Sequence, residues 1–195
     1  MKHLRLIVRL LCVLSLALGA PTLAFADEFT TIDAPAPATK AYGINPRGDI
    51  VGGAPPFGAG SIPLRGFLLS EGTFTIIHPP GAGPRDTEAV GINPQGDIVG
   101  YYADSSGKAH GYLLSKGRSN TIDDVPGATH TVPQGINARG DIVGLYVDSS
   151  SKVRGFLLGR GTFTRIDVPG ATFTRAFGIN PQGDGESLLA ETRFV

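Results

Sequence analysis

What this chain lacks narrows it first. Its single cysteine, Cys12, lies in an N-terminal apolar run that reads as a cleaved leader, so the remainder has neither disulfides nor thiolate chemistry. No excess of one charge is present: 17 basic residues face 17 acidic ones. There is therefore no basic footprint for nucleic acid. No helical period appears beyond the leader, and 28 glycines and 15 prolines would break helices in any case. A Gly-x-Ser-x-Gly elbow is missing, as is a phosphate-cradling glycine loop with a lysine.

The leader has three parts. Lys2, Arg5 and Arg9 make a basic start, Leu10–Leu14 and Leu16–Ala20 an apolar stretch, and Ala24-Phe25-Ala26 a small-x-small end. This is the pattern of a secretory signal peptide, with cleavage between Ala26 and Asp27. The apolar run falls short of the ~20 residues of a spanning helix. Cleavage takes the basic residues from 17 to 14 against 17 acidic ones, a net charge of −3. The expectation is a secreted, bacterial extracellular or periplasmic protein with no membrane span once residues 1–26 are removed.

A repeat dominates residues 27–195. Gly43–Gly52 (GINPRGDIVG) returns as Gly91–Gly100 (GINPQGDIVG) and Gly135–Gly144 (GINARGDIVG). A fourth copy opens at Gly178 and stops matching after Asp184. Other landmarks hold the same register. Arg65–Leu69 matches His110–Leu114 and Arg154–Leu158, and Gly72–Thr75 matches Gly161–Thr164. Ile77–Ala82 echoes Ile166–Ala171, and Phe29–Asp33 resembles the end of a unit.

Each unit holds four short apolar or β-branched runs. In the second they are Glu88–Ile92, Asp97–Ala103, Ala109–Ser115 and Ser119–Asp123, separated by turn residues. Four antiparallel strands repeated at this length predict an all-β, β-propeller-like fold with three full blades and an incomplete fourth. The alternation in Ile142–Val147 leaves neither face polar, as packing on both sides requires. Gly144 would let a neighbouring backbone approach.

These motifs together resemble the HAF-repeat family of extracellular bacterial repeat proteins. The resemblance spans Phe29 to Asp184. It implies an exported, propeller-like protein, and it carries no catalytic residues to transfer.

Candidate site residues follow from the register. If Asp104–Lys108 is a turn, Tyr102 lies across from His110, and Tyr146 across from Arg154. Such cross-strand aromatic–cation pairs stabilise a sheet. Arg65, behind a longer connection, has no such tyrosine. Tyr102, Asp104, His110, Tyr146, Asp148 and Arg154 are the ligand-binding candidates, because the Asp104–Lys108 and Asp148–Lys152 turns and the Pro-Gly-Ala connections share one end of the units. Asp49, Asp97, Asp141 and Asp184 read as turn-bonding residues. The acidic turns lack the alternating carboxylates of a calcium loop, so no metal and no cofactor is expected. His78 and His130 fall at unlike repeat positions. Asp86 with Glu88, and Asp123 with Asp124, are the nearest approach to paired glycosidase carboxylates, and both flank turns.

The expected function is an exported, non-enzymatic binding or scaffold module for an extracellular ligand or protein. The alternatives are a polysaccharide-acting enzyme on the same scaffold, or a fragment of a longer repeat protein. An unfinished blade would leave an open edge and favour self-association.

Overall fold

The computed structural model describes residues 32, 39–54, 65–83, 87–123, 125–183 and 189–193. The leader with its Ala26–Asp27 boundary, Asp86, Asp124 and Asp184 lie outside them, as does Phe29–Asp33 apart from Ile32. The strands belong to the unit running from Asp33 to Val195. No helix among the described residues is long and apolar enough to cross a membrane.

All regular structure among these residues is β-strand. The first sheet comprises β1 (Lys40–Ile44), β2 (Ile50–Ala54), β3 (Arg65–Ser70) and β4 (Thr73–Ile77). The second comprises β5 (Thr87–Ile92), β6 (Ile98–Ala103), β7 (Ala109–Ser115) and β8 (Arg118–Ile122). The third comprises β9 (Ala128–Ile136), β10 (Ile142–Asp148), β11 (Val153–Gly159) and β12 (Thr162–Ile166). Each is an antiparallel meander, and each corresponds to one sequence repeat. The third and fourth strands of every unit turn through a two-residue loop with both φ angles positive: Glu71-Gly72, Lys116-Gly117 and Arg160-Gly161. That is the type I′ geometry whose twist suits a tight hairpin.

Among the described residues a fourth unit contributes two strands. β13 (Phe173–Gly178) pairs antiparallel with β14 (Leu189–Arg193) and touches β11 at the single pair Val153↔Phe173. Sequence reading loses this unit's second strand at Gly185, because nothing after it matches the repeat. The structure supplies that strand as β14. Leu189 opposes Gly178 as Val99 opposes Gly91, and Ala190 opposes Ala176 as Gly100 opposes Ala89. Backbone pairing needs only an extended segment in register, not the repeat's own residues. Among the described residues the sheets do not close into a ring.

The first strand of every unit carries a bulge, at Tyr42, Val90, Gln134 and Phe177, just before the repeat glycine. A side chain on Gly91 would press on the Gly135 backbone, and one on Gly135 would meet the Phe177 carbonyl and Gly178. First strands of successive units therefore lie almost in backbone contact. The glycine of the second strand answers a different demand. A Cβ on Gly100 would collide with the Glu88 carbonyl and stand 2.8 Å from the Tyr112 hydroxyl. Gly52 and Gly144 are hemmed in likewise, each under the ring of Phe67 or Phe156. All three rings are fully buried.

The core is divided between the units. Val51, Ile77 and Leu68 of the first pack against Ile92, Ile98, Tyr102 and Leu114 of the second. Val99, Ile122 and Leu113 of the second pack in the same pattern against Ile136, Ile142, Tyr146 and Leu158 of the third. The second sheet thus buries apolar groups on both faces, one against each neighbour, and the units hold together by stacking.

Candidate functional site

The predicted pairing is present. Tyr102 opposes His110, Ala103 opposes Ala109, and Tyr146 opposes Arg154. In the first unit Arg65 opposes Ala54, so its tyrosine is missing. Ring contacts differ between the two complete pairs. Tyr102 and His110 stack at 5.2 Å with an 18° interplanar angle. Tyr146 instead meets Phe163 edge-on at 5.7 Å. The guanidinium of Arg154 is held elsewhere, by two carboxylates.

Those carboxylates define a recurring slot. Arg154 donates from Nε to Asp148 at 2.8 Å and from an Nη to Asp167 at 2.7 Å. His110 occupies the same place, with Nε2 3.0 Å from Asp104 and Nδ1 2.7 Å from Asp123. In the first unit Arg65 meets His78 at 2.9 Å, so His78 stands where Asp123 and Asp167 stand later. Two of the three units therefore place a basic side chain, Arg154 or His110, between two acids. Burial alone would lower the His110 pKa, but its hydrogen bonds to Asp104 and Asp123 outweigh that and raise it. Asp104 is held far below the ordinary carboxylate range, first by Ser106 and then by His110. With a carboxylate on each ring nitrogen, the imidazolium form of His110 is favoured relative to a free imidazole.

The acidic turns are hydrogen-bonded loops. Asp104 Oδ1 accepts from the Ser106 and Lys108 backbone amides, and Asp148 Oδ1 from those of Ser150 and Lys152. These carboxylates cap their own turns. The two acids beside His110 lie on opposite ring nitrogens and do not converge on a point. Among the described residues no group of three or more His, Cys, Asp or Glu side chains is arranged to hold a metal. The Pro-Gly-Ala connections share this end: Gly83 donates to the Ala103 carbonyl at 2.8 Å, and Ala128 pairs with Asp148. The two candidate carboxylate pairs fall partly outside the described residues. His130 Nδ1 lies 3.3 Å from the hydroxyl of its neighbour Thr129.

At the opposite end the repeat motif builds a ladder. Asn45 Oδ1 accepts from the Arg47 and Asp49 amides, while its Nδ2 donates to Asp49 and reaches the carbonyl of Asn93 in the next unit. Asn93 does the same toward Asn137, and Asn137 toward Asn180 at 3.0 Å. Asp49 takes a further hydrogen bond from Ser70, and Asp97 one from Ser115. The third unit has Gly159 there. Arg47 and Arg139 close the arrangement, each placing its guanidinium on the aspartate two residues on, at 2.8 Å. Asp49 is held below the ordinary range, chiefly by Ser70 and Asn45. At Asp141 burial pushes upward, but Asn137 and Arg139 together outweigh it.

One feature at this end escapes sequence reading: a cleft of about 660 Å³ lined by Arg47, Gln95, Asp97, Lys116 and Arg139 over an apolar floor that includes Ile98 and Leu114. Its sequence signal is small. The residue after the repeat's Pro or Ala is arginine in the first and third units and glutamine in the second. The chain matches no known family's model and no curated protein.

Proposed function

We propose that the protein is an exported, non-enzymatic β-repeat module that binds or scaffolds through the turn-rich ends of its sheets, in keeping with its resemblance to the HAF-repeat family. One observation carries the reading: the groups best suited to catalysis sit in repeat slots where structural pairing engages them. His110, the best candidate base, is held by carboxylates on both sides, and its place in the next unit is filled by an arginine that cannot act as a base at neutral pH. A slot that accepts arginine or histidine selects for positive charge, not for proton transfer.

The test is to incubate the mature protein with a panel of bacterial and plant polysaccharides. Retention on one of them without new reducing ends is the expected result. Release of reducing ends, abolished by Asp104→Asn or Asp123→Asn, would establish the polysaccharide-acting enzyme instead. Export is tested separately by intact mass. Protein recovered from periplasm or medium should begin at Asp27, and full-length chain in the membrane would refute cleavage.

A further inference from the structure

We infer that the cleft beside Asp97 is a recognition site for a guanidinium-bearing ligand. This rests on the binding-module reading above and gives it a place and a ligand chemistry.

The argument comes from the molecule's own repeats. In the first unit the Arg47 guanidinium lies on Asp49, donates to the Pro94 carbonyl at 2.7 Å, and covers Gly96 of the next unit's turn. In the third unit Arg139 binds Asp141 and covers Gly183 of the fourth. The same clamp should run from the second unit to the third. There the residue is Gln95, and nothing stands over Gly140 within reach of a Cβ. Asp97 keeps its hydrogen bonds from Asn93 and Ser115 but has no guanidinium. It is also less buried than Asp49 and Asp141, which are 6 % and 4 % exposed. The cleft lies where the clamp is missing.

Two equivalent places in one chain thus show what fits: a planar cation whose Nε and one Nη both reach the same aspartate oxygen, Oδ2, and which in the first unit also turns an N–H to the carbonyl of the following unit. At the open place those partners are Asp97 and the Ala138 carbonyl. A guanidinium holds two N–H groups in one rigid plane and can lay both on that carboxylate oxygen, a directed arrangement that the point charge of an ammonium does not reproduce. The cations lining the cleft do not oppose this in full, since Arg47 and Arg139 are each neutralised by their own aspartate. Lys116 is different. Its side chain has no hydrogen bond or ion pair among the described residues, and it lines the same cleft. It offers a counter-charge to a carboxylate at the ligand's other end, with Leu68, Ile98 and Leu114 available to an aliphatic stem. Free arginine has that layout, and an arginine side chain within a peptide has only its cationic half.

The experiment is an amide-resolved NMR titration of the mature protein with L-arginine, agmatine and L-citrulline, the neutral near-isostere of arginine. L-Arginine should shift the amides of residues 95–97, 116–117 and 138–140, saturating with a dissociation constant on the order of 1 mM. Citrulline should fail to shift them. Agmatine, lacking the carboxylate, should bind about threefold or more weakly than arginine if the free amino acid is the natural ligand. Equal binding of the two would assign the site to arginine side chains. Gln95→Arg should fill the cleft from within, abolish the arginine shifts and raise the urea midpoint. Equal shifts from arginine and citrulline, or unchanged shifts in Gln95→Arg, would overturn the site and leave the binding-module reading standing. Chemical conversion of arginine during the titration would overturn both.

Discussion

His110 makes one cation of the series titratable. Because its folded-state pKa is raised above the ordinary 6.5, its ion pairs contribute fully below that value and fade as pH rises through the folded one. Asp104 has the opposite sign: its contribution is present above the ordinary 3.8 and is lost as pH falls below it. The pairing is therefore complete in mildly acidic solution. His110→Arg copies Arg154 and should match the wild type at pH 5.5, then hold its stability from pH 7 to 9 while the wild type declines. Urea midpoints across that range test this, and parallel curves would show that His110 does not titrate in the slot. A second residue-scale comparison lies at the other end. Ser70 and Ser115 each donate to their unit's aspartate, whereas Gly159 leaves Asp141 Oδ1 without that hydroxyl. A Cβ on Gly159 would sit 3.1 Å from that oxygen, a fit that the carboxylate of Asp141 must relax slightly to accept. Gly159→Ser should raise stability by about 1 kcal/mol, the worth of one hydrogen bond. An unchanged or lower urea midpoint would mean that the relaxation costs as much as the bond returns.

At the scale of the strand, Tyr102 and Tyr146 show what periodicity can and cannot reveal. Their cross-strand partners follow from counting outward from the Asp104 and Asp148 turns, because a two-stranded register is rigid once its turn is placed. What the rings touch does not follow from that count. Both face the preceding unit and fill the gap between sheets, Tyr146 beside Ile122 and Val125 of the second unit and Phe163 of its own. Strand positions in the second unit are likewise legible to within about a residue, because turn residues bracket each run. β14 was not legible, since it pairs by backbone alone. The threonine four residues before each repeat glycine, at 39, 87, 131 and 174, is a landmark that sequence reading passed over. Thr87, Thr131 and Thr174 are almost wholly buried. The clamp arginines were invisible as well, because a side chain's reach into the next repeat leaves no mark on hydrophobic period. Tyr146→Ala removes a ring that is 4 % exposed and should cost about 3 kcal/mol. A loss well under 1 kcal/mol by urea denaturation would mean that the second and third sheets close over the gap without it.

For the whole molecule the deciding fact is that the second sheet is covered on both faces and the first on only one. Ile92 and Ile98 of the second unit are buried against the first. Their counterparts in the first unit are less covered: Ile44 is 67 % exposed, against 9 % for Ile92, and Ile50 is half-buried where Ile98 is buried. Tyr42 is 42 % exposed on the same strand. The opposite face of the first sheet carries the second unit, so the first unit has one covered face and one uncovered, apolar face. Two copies pairing through that face would form an isologous dimer, and its pairing with any other surface is head-to-tail, which closes into a ring or runs on as a chain. The mature protein should therefore associate, with an apparent mass in light scattering that rises with concentration. Ile44→Lys should weaken that association while leaving the urea midpoint of dilute protein within about 0.5 kcal/mol of wild type, as exposed substitutions generally do. A single monomeric species at every concentration, with one cooperative unfolding transition, would show that the uncovered isoleucine face of the first unit is tolerated in water and that three stacked sheets suffice.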